Sequence, residues 1–258
     1  ELRFNLCGNA YREGAAYAPV SKNFAASAYY AGESYGEMRI SSVSPCAEWE
    51  VCGADENVLR VRLASPVPAG GRCEISVAYT LTLANVDHRT GVTEHTVNLG
   101  NFYPVLCVWE AGSGYRECVY ASNGDPFYSA CADYAVSLTV PASYTAASSG
   151  TVAAAEESGG RRQYEMALQN ARDFAVVLSE EFSVEQRTAG ETTVLYYYYD
   201  DAAPQRSADL ARDCLLWFSD TFGEYAYETY SVVQTGFCYG GMEYPALVYV
   251  SDALAEED

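Results

Sequence analysis

The chain has 258 residues, of which 49% are hydrophobic and 19% charged, and its formal net charge is −20. This composition is typical of a folded protein with one large domain or two smaller ones. The acidic balance excludes a phosphate-backbone partner, because nucleic-acid binders need a basic surface. No apolar run reaches the length that crosses a bilayer, so we expect no membrane-spanning segment.

The start of the chain and its cysteines bear on the cellular compartment. The chain begins at Glu1 rather than at methionine, so we expect that an upstream segment, such as a signal peptide or an anchor, has been removed. An extracellular or cell-envelope location is therefore favoured over a cytoplasmic one. The nine cysteines form no C-x-x-C pair and their number is odd. Buried free thiols and disulfides both remain open.

The first 185 or so residues have the alternating pattern of β-strands. Turn residues in Gly53–Glu56 separate two alternating runs, which predicts a hairpin of residues 48–52 and 57–63. Residues 146–160 are small and polar, and we interpret them as a hairpin loop. The other predicted strands lie near residues 38–40, 73–83, 135–140, 164–168 and 174–178. Strands joined by turns predict a sandwich of two antiparallel sheets.

The pattern changes after Gly190, where a helix enters. Residues 192–199 form a strand whose four tyrosines line both faces, and we interpret these rings as packing residues. Pro204 is a good first residue for a helix, and Gly223 predicts its end. Five apolar residues are spaced for one helical face: Leu210, Cys214, Trp217, Phe218 and Phe222. Further strands are predicted at residues 231–234 and 246–250.

These elements predict a mainly β chain of two domains. Residues 1–187 form the N-terminal sandwich, and residues 188–258 form the beginning of an α+β unit.

The chain has few candidates for catalytic or metal-ligating residues. Only His88 and His95 are present, and Gly91 lies between them, so they do not have the spacing of a helical zinc pair. We interpret both as polar loop histidines. The chain also lacks the G-x-S-x-G sequence of a nucleophile elbow. We therefore predict no catalytic residue and no metal ligand in this chain.

The segment Phe237–Pro245 has a different character. Two glycines remove side chains where another backbone can approach closely, and a carboxylate follows them. These features are typical of a strand edge that accepts an extended peptide, with Glu243 facing a protonated amine. A tight turn that exposes the glutamate to solvent is the alternative.

Residues Tyr239–Pro245 resemble the G-x-M-E-N substrate-anchoring motif of the aminopeptidase N and leukotriene hydrolase family of zinc peptidases. The resemblance implies that Glu243 holds the α-amino group of the substrate, and that Gly240 and Gly241 face its backbone. It also implies that Tyr239 and Met242 line the first side-chain pocket. Tyr244 stands where the family usually has asparagine, which weakens the implied exopeptidase geometry.

Other segments extend the resemblance to roughly residues 45–250. Asn101–Pro104 is similar to the N-W-Y-P stretch of some bacterial members, and Gly124–Ser129 and Asp133–Pro141 look like the family's loop and strand near the end of its sandwich. The family layout implies a saddle-like β-sandwich followed by the truncated start of a thermolysin-like catalytic domain. The family's second amine anchor corresponds to Glu94 or His95, although a solvated turn explains Glu94 equally well.

The family's zinc ligands come from an H-E-x-x-H helix downstream of this motif. Residues 251–258 are instead an acidic tail without histidine. The resemblance therefore implies a zinc aminopeptidase fragment that is inactive alone, without cofactor, whose full-length parent binds zinc and acts on peptides with a free N-terminus. The first alternative is a complete, non-catalytic peptide- or protein-binding β-sandwich module. A cell-surface adhesive domain of unrelated origin is the second.

Overall fold

A computed structural model describes residues 1–125 and 127–254, and the chain is mainly β, as predicted. Two predicted features reach beyond this range. Pro126 belongs to the segment compared with the family loop, and residues 255–258 belong to the predicted acidic tail. Both lie outside the described residues, as does the side chain of Ala154. In the part of the chain that the structure describes, no helix is long and apolar enough to cross a membrane.

The strands alternate with turns along almost the whole chain. In the first half they are β1 (Leu2–Asn5), β2 (Glu37–Ser44), β3 (Glu48–Cys52), β4 (Val58–Arg62), β5 (Ser76–Thr82), β6 (Thr90–Val92), β7 (Val97–Leu99), β8 (Val105–Leu106), β9 (Trp109–Glu110) and β10 (Gly114–Tyr115). In the second half they are β11 (Ala132–Pro141), β12 (Thr145–Ser148), β13 (Thr151–Ser158), β14 (Arg161–Ala171), β15 (Val176–Ser179), β16 (Ser183–Ala189), β17 (Thr192–Tyr198), β18 (Thr229–Thr235), β19 (Gly241–Tyr244) and β20 (Leu247–Ser251). The α-helices are α1 (Ala25–Ala28) and α2 (Pro204–Phe222), and short 3-10 turns lie at Cys7–Tyr11 and Asp252–Leu254.

The chain folds into two compact units. The first contains residues 1–86 and 101–130, and the second contains residues 87–100 and 131–254 of the described chain. Each unit therefore takes its residues from two separate parts of the sequence. The predicted boundary between residues 187 and 188 lies inside β16 and remains a prediction.

The first unit is built from short antiparallel strands. One sheet has the order β3-β4-β1-β8, and β2 pairs with β5 beside it. Both contribute to one core of buried side chains: Leu6, Met38, Val43, Leu59 and Val61. The predicted hairpin is confirmed, since β3 and β4 pair from Glu48↔Arg62 to Cys52↔Val58 around the turn at residues 53–57.

The second unit contains three sheets. The antiparallel sheets have the orders β11-β14-β13 and β12-β15-β7-β6. The third sheet has the order β16-β17-β18-β20-β19, in which β17, β18 and β20 run parallel to one another. Its core-facing residues pack against the β12-β15 side in one buried cluster that includes Ala147, Val177, Tyr197, Val233 and Tyr249. The apolar run at residues 174–178 is buried throughout, as the sequence predicted.

Two local predictions were wrong. Residues 146–160 are not a loop, because they hold the end of β12 and all of β13. Small residues are needed there for packing: a Cβ on Gly150 would lie 2.2 Å from the carbonyl oxygen of Ala167. His88 lies in a loop, as the sequence suggested, but it is not a polar surface residue, because its side chain is completely buried.

The helix predicted between Pro204 and Gly223 is present as α2, but its apolar face is exposed. The exposed fractions of Leu210, Trp217, Phe218 and Phe222 are 64, 59, 53 and 75%. The side chains that face the sheet are instead Ala208, Ala211 and Leu215. The small alanine side chains let the helix approach the strands closely. Hydrophobic spacing alone cannot distinguish an apolar stripe that faces the core from one that is exposed.

Candidate functional site

The segment Gly240–Pro245 forms the free edge of the mixed sheet in the second unit. β19 pairs with β20 in antiparallel register, with Gly241 opposite Val250 and Glu243 opposite Val248. The pairing begins one residue earlier, where the amide of Ser251 donates to the carbonyl of Gly240 at 2.7 Å. Gly240 has a φ of +86°, which a residue with a Cβ rarely adopts. The outer side of β19 has no neighbouring strand in its sheet.

The alternation of β19 divides three of the five predicted site residues, together with Tyr244, between two faces. Met242 and Tyr244 point toward the buried cluster, whereas Gly241 and Glu243 are exposed on the opposite face. Among the described residues, the Glu243 carboxylate has no hydrogen bond or ion pair. Glu243 therefore presents an uncompensated negative charge on a strand whose backbone is open along one side.

Tyr239 and Met242 are held from the core side. The ring of Tyr239 lies 5.5 Å from that of His88 and 5.9 Å from that of Phe237, both in edge-on contacts. The Nε of Arg89 donates to the sulfur of Met242 at 3.1 Å. Burial, and then the charge of Arg89, lower the pKa of His88 to about 3, so this imidazole is neutral at physiological pH. The two residues predicted to line the first pocket thus have fixed orientations.

Tyr244 is a core residue of the second unit. Its side chain is 6% exposed, and its ring packs 5.2 Å from the ring of Tyr249. A Cβ added to Gly100 would lie 1.9 Å from the Tyr244 hydroxyl. Tyr244 therefore fills space that only a glycine at residue 100 leaves open.

A buried polar network fastens the β6–β7 hairpin to the end of β18. The hydroxyl of Thr235 donates to Asn98 Oδ1 at 2.7 Å and lies 2.6 Å from the hydroxyl of Thr96. The Asn98 amide donates to the carbonyls of His88 and Gly236 at 3.0 and 3.1 Å. Because these groups are buried and satisfied, the network fixes the chain that leads into the glycine segment.

Titratable side chains gather at the carboxyl ends of the parallel strands, and the sequence analysis missed most of them. Tyr199 follows β17 and donates to Asp252, which follows β20, at 2.6 Å. The His95 ring stacks on Tyr199 at 4.5 Å, and its Nδ1 lies 3.2 Å from Glu181. Ligands of open α/β sheets bind outside the carboxyl ends of such strands. Position at or just after the end of a predicted strand is the signal that could have identified Tyr199 and Asp252.

Asp87 lies beside this group. Its Oδ1 is buried without a hydrogen-bond partner among the described residues, and a Cβ on Gly236 would lie 2.7 Å from that oxygen. Burial first, and then the charges of Asp252 and Glu94, raise the pKa of Asp87 to about 7. Burial and then the hydrogen bond to Asp252 raise the pKa of Tyr199. Both groups are therefore mostly protonated at slightly acidic pH.

The described residues do not fit a zinc ion. They contain no group of three or more histidine, cysteine, aspartate or glutamate side chains that could hold a metal. His88 packs among aromatic rings and His95 faces Glu181, so these two side chains do not converge. The nine cysteines, all within the described range, are free thiols, of which Cys107 is buried. We assign no metal-dependent step to these residues.

Comparison with known proteins bears on the fold. No protein-family model matches the chain, and no curated protein matches it. Among solved structures, the chain is similar to a two-domain M1 zinc metallopeptidase bound to L-arginine, with 18% identity and a TM-score of 0.50 over 86% of this chain and 52% of that one. An M1 zinc metallopeptidase from Deinococcus radiodurans gives 18% identity and a TM-score of 0.48 over 83% and 50%.

The similarity to the first of these structures establishes the fold class, that of the N-terminal part of M1 peptidases. The chain spans about half the length of the solved structures it matches.

Proposed function

We propose that this chain is the N-terminal portion of a zinc-dependent aminopeptidase that removes residues from peptide N-termini. On this proposal the chain supplies the sandwich domain and the substrate-amine anchor, and zinc is bound by residues outside it. The observation that carries the proposal is the position of Glu243. Its carboxylate is exposed and unpaired on a free sheet edge, two residues after Gly241. The shared fold of the M1 zinc metallopeptidases supports the same assignment.

The free edge of β19 suits an extended peptide. A peptide strand added along β19 would form main-chain hydrogen bonds with it, and the absence of side chains at Gly240 and Gly241 would let the two backbones approach. Its first ammonium would then face Glu243. A charge-assisted hydrogen bond of this kind contributes about 1.5–3 kcal/mol, which favours a free N-terminus over an internal peptide bond.

The proposal assigns the wall of the first side-chain pocket to Tyr239 and Met242. Their contacts with His88 and Arg89 support this role, because a pocket wall must keep its shape when the substrate binds. Glu94 is proposed as the second amine anchor. It is exposed in the turn between β6 and β7, next to His95.

Binding by the isolated chain tests the anchor. NMR titration with a tripeptide that has a free amino terminus should shift the amide signals of β19, and the N-acetylated tripeptide should cause no saturable shift up to about 10 mM. Glu243→Gln should weaken binding of the free peptide by roughly 10-fold or more, because the charged partner of the ammonium is lost. Glu191→Gln is the matched control, since Glu191 is an exposed glutamate in the β16–β17 turn of the same sheet.

Equal binding of the acetylated and free peptides would contradict the amine anchor and favour a peptide-binding module without exopeptidase function. Absence of any saturable shift with the free peptide would contradict both. The proposal also predicts that the reading frame of the parent continues into an H-E-x-x-H sequence.

A further inference from the structure

Two cysteines flank the β9–β10 hairpin of the first unit. The two strands pair in antiparallel register, and beyond them the amide of Arg116 donates to the carbonyl of Val108 at 2.9 Å. Continued by one step, this register places residue 107 opposite residue 117. Cys107 and Cys118 therefore lie at the base of the hairpin, where its two arms meet the rest of the unit.

Both cysteines are held against β1, close to Asn5. The amide of Cys107 donates to the carbonyl of Arg3 at 2.8 Å, and the amide of Cys118 donates to Asn5 Oδ1 at 2.9 Å. The side-chain amide of Asn57, the residue before β4, donates to the carbonyl of Cys118 at 2.9 Å. These hydrogen bonds fix the backbone of the two cysteines on the same strand.

The two thiols are also close to each other. Burial, and then the charge of the Cys118 thiolate, raise the pKa of Cys107 to about 12. Cys118 affects this pKa more than Glu117 and Arg3 do. Because the interaction between charges falls with distance, the Cys118 sulfur lies near the Cys107 sulfur.

We propose that Cys107 and Cys118 form a reversible disulfide when the protein meets a low-molecular-weight disulfide, and that this bond fastens the base of the β9–β10 hairpin. The cysteine count and spacing left free thiols and disulfides both open. The fold selects one pair among the nine cysteines. The inference goes beyond the proposed function and does not rest on it.

The bond forms by two thiol–disulfide exchanges. Cys118 reacts first, because it is half-buried whereas Cys107 is buried. Its thiolate attacks one sulfur of the small disulfide, which forms a mixed disulfide and releases one thiolate. The Cys107 thiolate then attacks the Cys118 sulfur and expels the second. The protein loses two electrons and two protons, and the small disulfide is reduced to two thiols.

Cys7 is a competing partner for Cys118. Both line one small cavity, together with Asn57 and other residues of the first unit. Cys107 is favoured over Cys7, because the hydrogen bonds of the hairpin hold its arm directly against the arm that leads to Cys118.

Peptide mapping tests the pairing. The reduced chain is incubated under native conditions with oxidised glutathione, and the remaining thiols are then blocked with N-ethylmaleimide in denaturant. Trypsin cuts after Arg116, which places the two cysteines in separate peptides, residues 90–116 and 117–161. We expect these peptides to be joined by a bond that dithiothreitol cleaves. A second digestion that cuts before Asp125 separates Cys118 from Cys131.

Three results would overturn the proposal. The first is a disulfide between Cys118 and Cys7. The second is glutathione attached to Cys118 with no bond to Cys107 once the reaction has reached equilibrium. The third is complete labelling of both Cys107 and Cys118 by N-ethylmaleimide, because neither thiol would then have been oxidised.

Cys118→Ala and Cys131→Ala are matched variants that test the effect of the bond on the fold. Cys131 is an exposed cysteine outside the hairpin. Oxidation should raise the urea midpoint of the parent and of Cys131→Ala, because a bond between residues 107 and 118 restricts the unfolded chain. It should leave the midpoint of Cys118→Ala unchanged. An equal rise in the two variants, or no rise in a parent that carries the mapped bond, would contradict the fastening of the hairpin.

Discussion

The hydroxyl of Tyr244 occupies the space where the side chain of residue 100 would begin, 1.9 Å from an ideal Cβ on Gly100. The ring atom Cζ is 2.6 Å from the same point, and the backbone oxygen of Arg89 is 2.8 Å from it. The absence of a side chain at Gly100 therefore allows the Tyr244 ring to pack there, and this contact holds β19 against the β6–β7 hairpin.

Gly100→Ala should destabilise the chain by about 1–3 kcal/mol, because the added methyl overpacks a buried contact. Urea unfolding followed by circular dichroism measures the change. In a Tyr244→Leu background, the cost of Gly100→Ala should be smaller, since the ring that meets the methyl is absent. Strict additivity of the two substitutions would contradict the direct contact.

Thr235→Val should cost about 1–3 kcal/mol of unfolding free energy, because it removes one hydrogen-bond partner from the buried Asn98 Oδ1 and from the Thr96 hydroxyl. Thr229→Val on the same strand is the control, since its hydroxyl is not part of the network. Chemical denaturation measures the free energy of unfolding of both variants. An equal loss at the two positions would contradict a specific stabilising role for the network.

The pH dependence of stability should contain a contribution from Asp87. Its folded pKa of about 7 lies above the ordinary value of 3.8. The folded state therefore binds the proton more tightly than the unfolded state, and stability is lost as pH rises from about 4 through about 7. Asp87→Asn should match the parent near pH 4 and exceed its stability by about 1 kcal/mol at pH 8. Thermal unfolding across this range measures the effect, and an unchanged pH profile in the variant would contradict the assignment.

The rate at which each cysteine is alkylated should depend on how deeply its thiol is buried. Burial raises the pKa values of Cys107 and Cys238 to about 12. A shift of this size lowers the thiolate fraction by about a thousandfold. In the isolated chain at pH 8, iodoacetamide should modify the exposed Cys73, Cys131 and Cys214 first. Early modification of Cys107 or Cys238, followed by peptide mapping, would show that the surrounding structure opens readily.

Much of the fold followed from local patterns in the sequence. The hairpin at residues 48–63 was predictable because alternation and turn residues are local signals. The packing of β12 and β15 against the mixed sheet was not, because it depends on which distant faces meet. Residues 146–160 were misjudged for the same reason: their small side chains fit a close approach of strands as well as a loop.

In the candidate site, too, some features follow from local sequence patterns and others depend on packing between distant parts of the chain. The position of Gly240, Gly241 and Glu243 at a sheet edge agrees with the edge expected from the sequence, and their role in substrate binding stays a prediction. Asp87, Tyr199 and Asp252 come together only through the parallel order of β17, β18 and β20. The exposure of the apolar face of α2 was not predictable, because periodicity identifies an apolar stripe without identifying what it packs against.

The order of strands in the mixed sheet also constrains how the edge strand that carries Glu243 forms during synthesis. β19 leaves the ribosome before β20, yet β20 lies between β18 and β19 in the finished sheet. The nascent segment that carries Glu243 therefore has no strand to pair with until residues 247–251 have emerged and joined β18. Domains form progressively from the N-terminus during translation, so this edge is among the last parts of the second unit to become ordered.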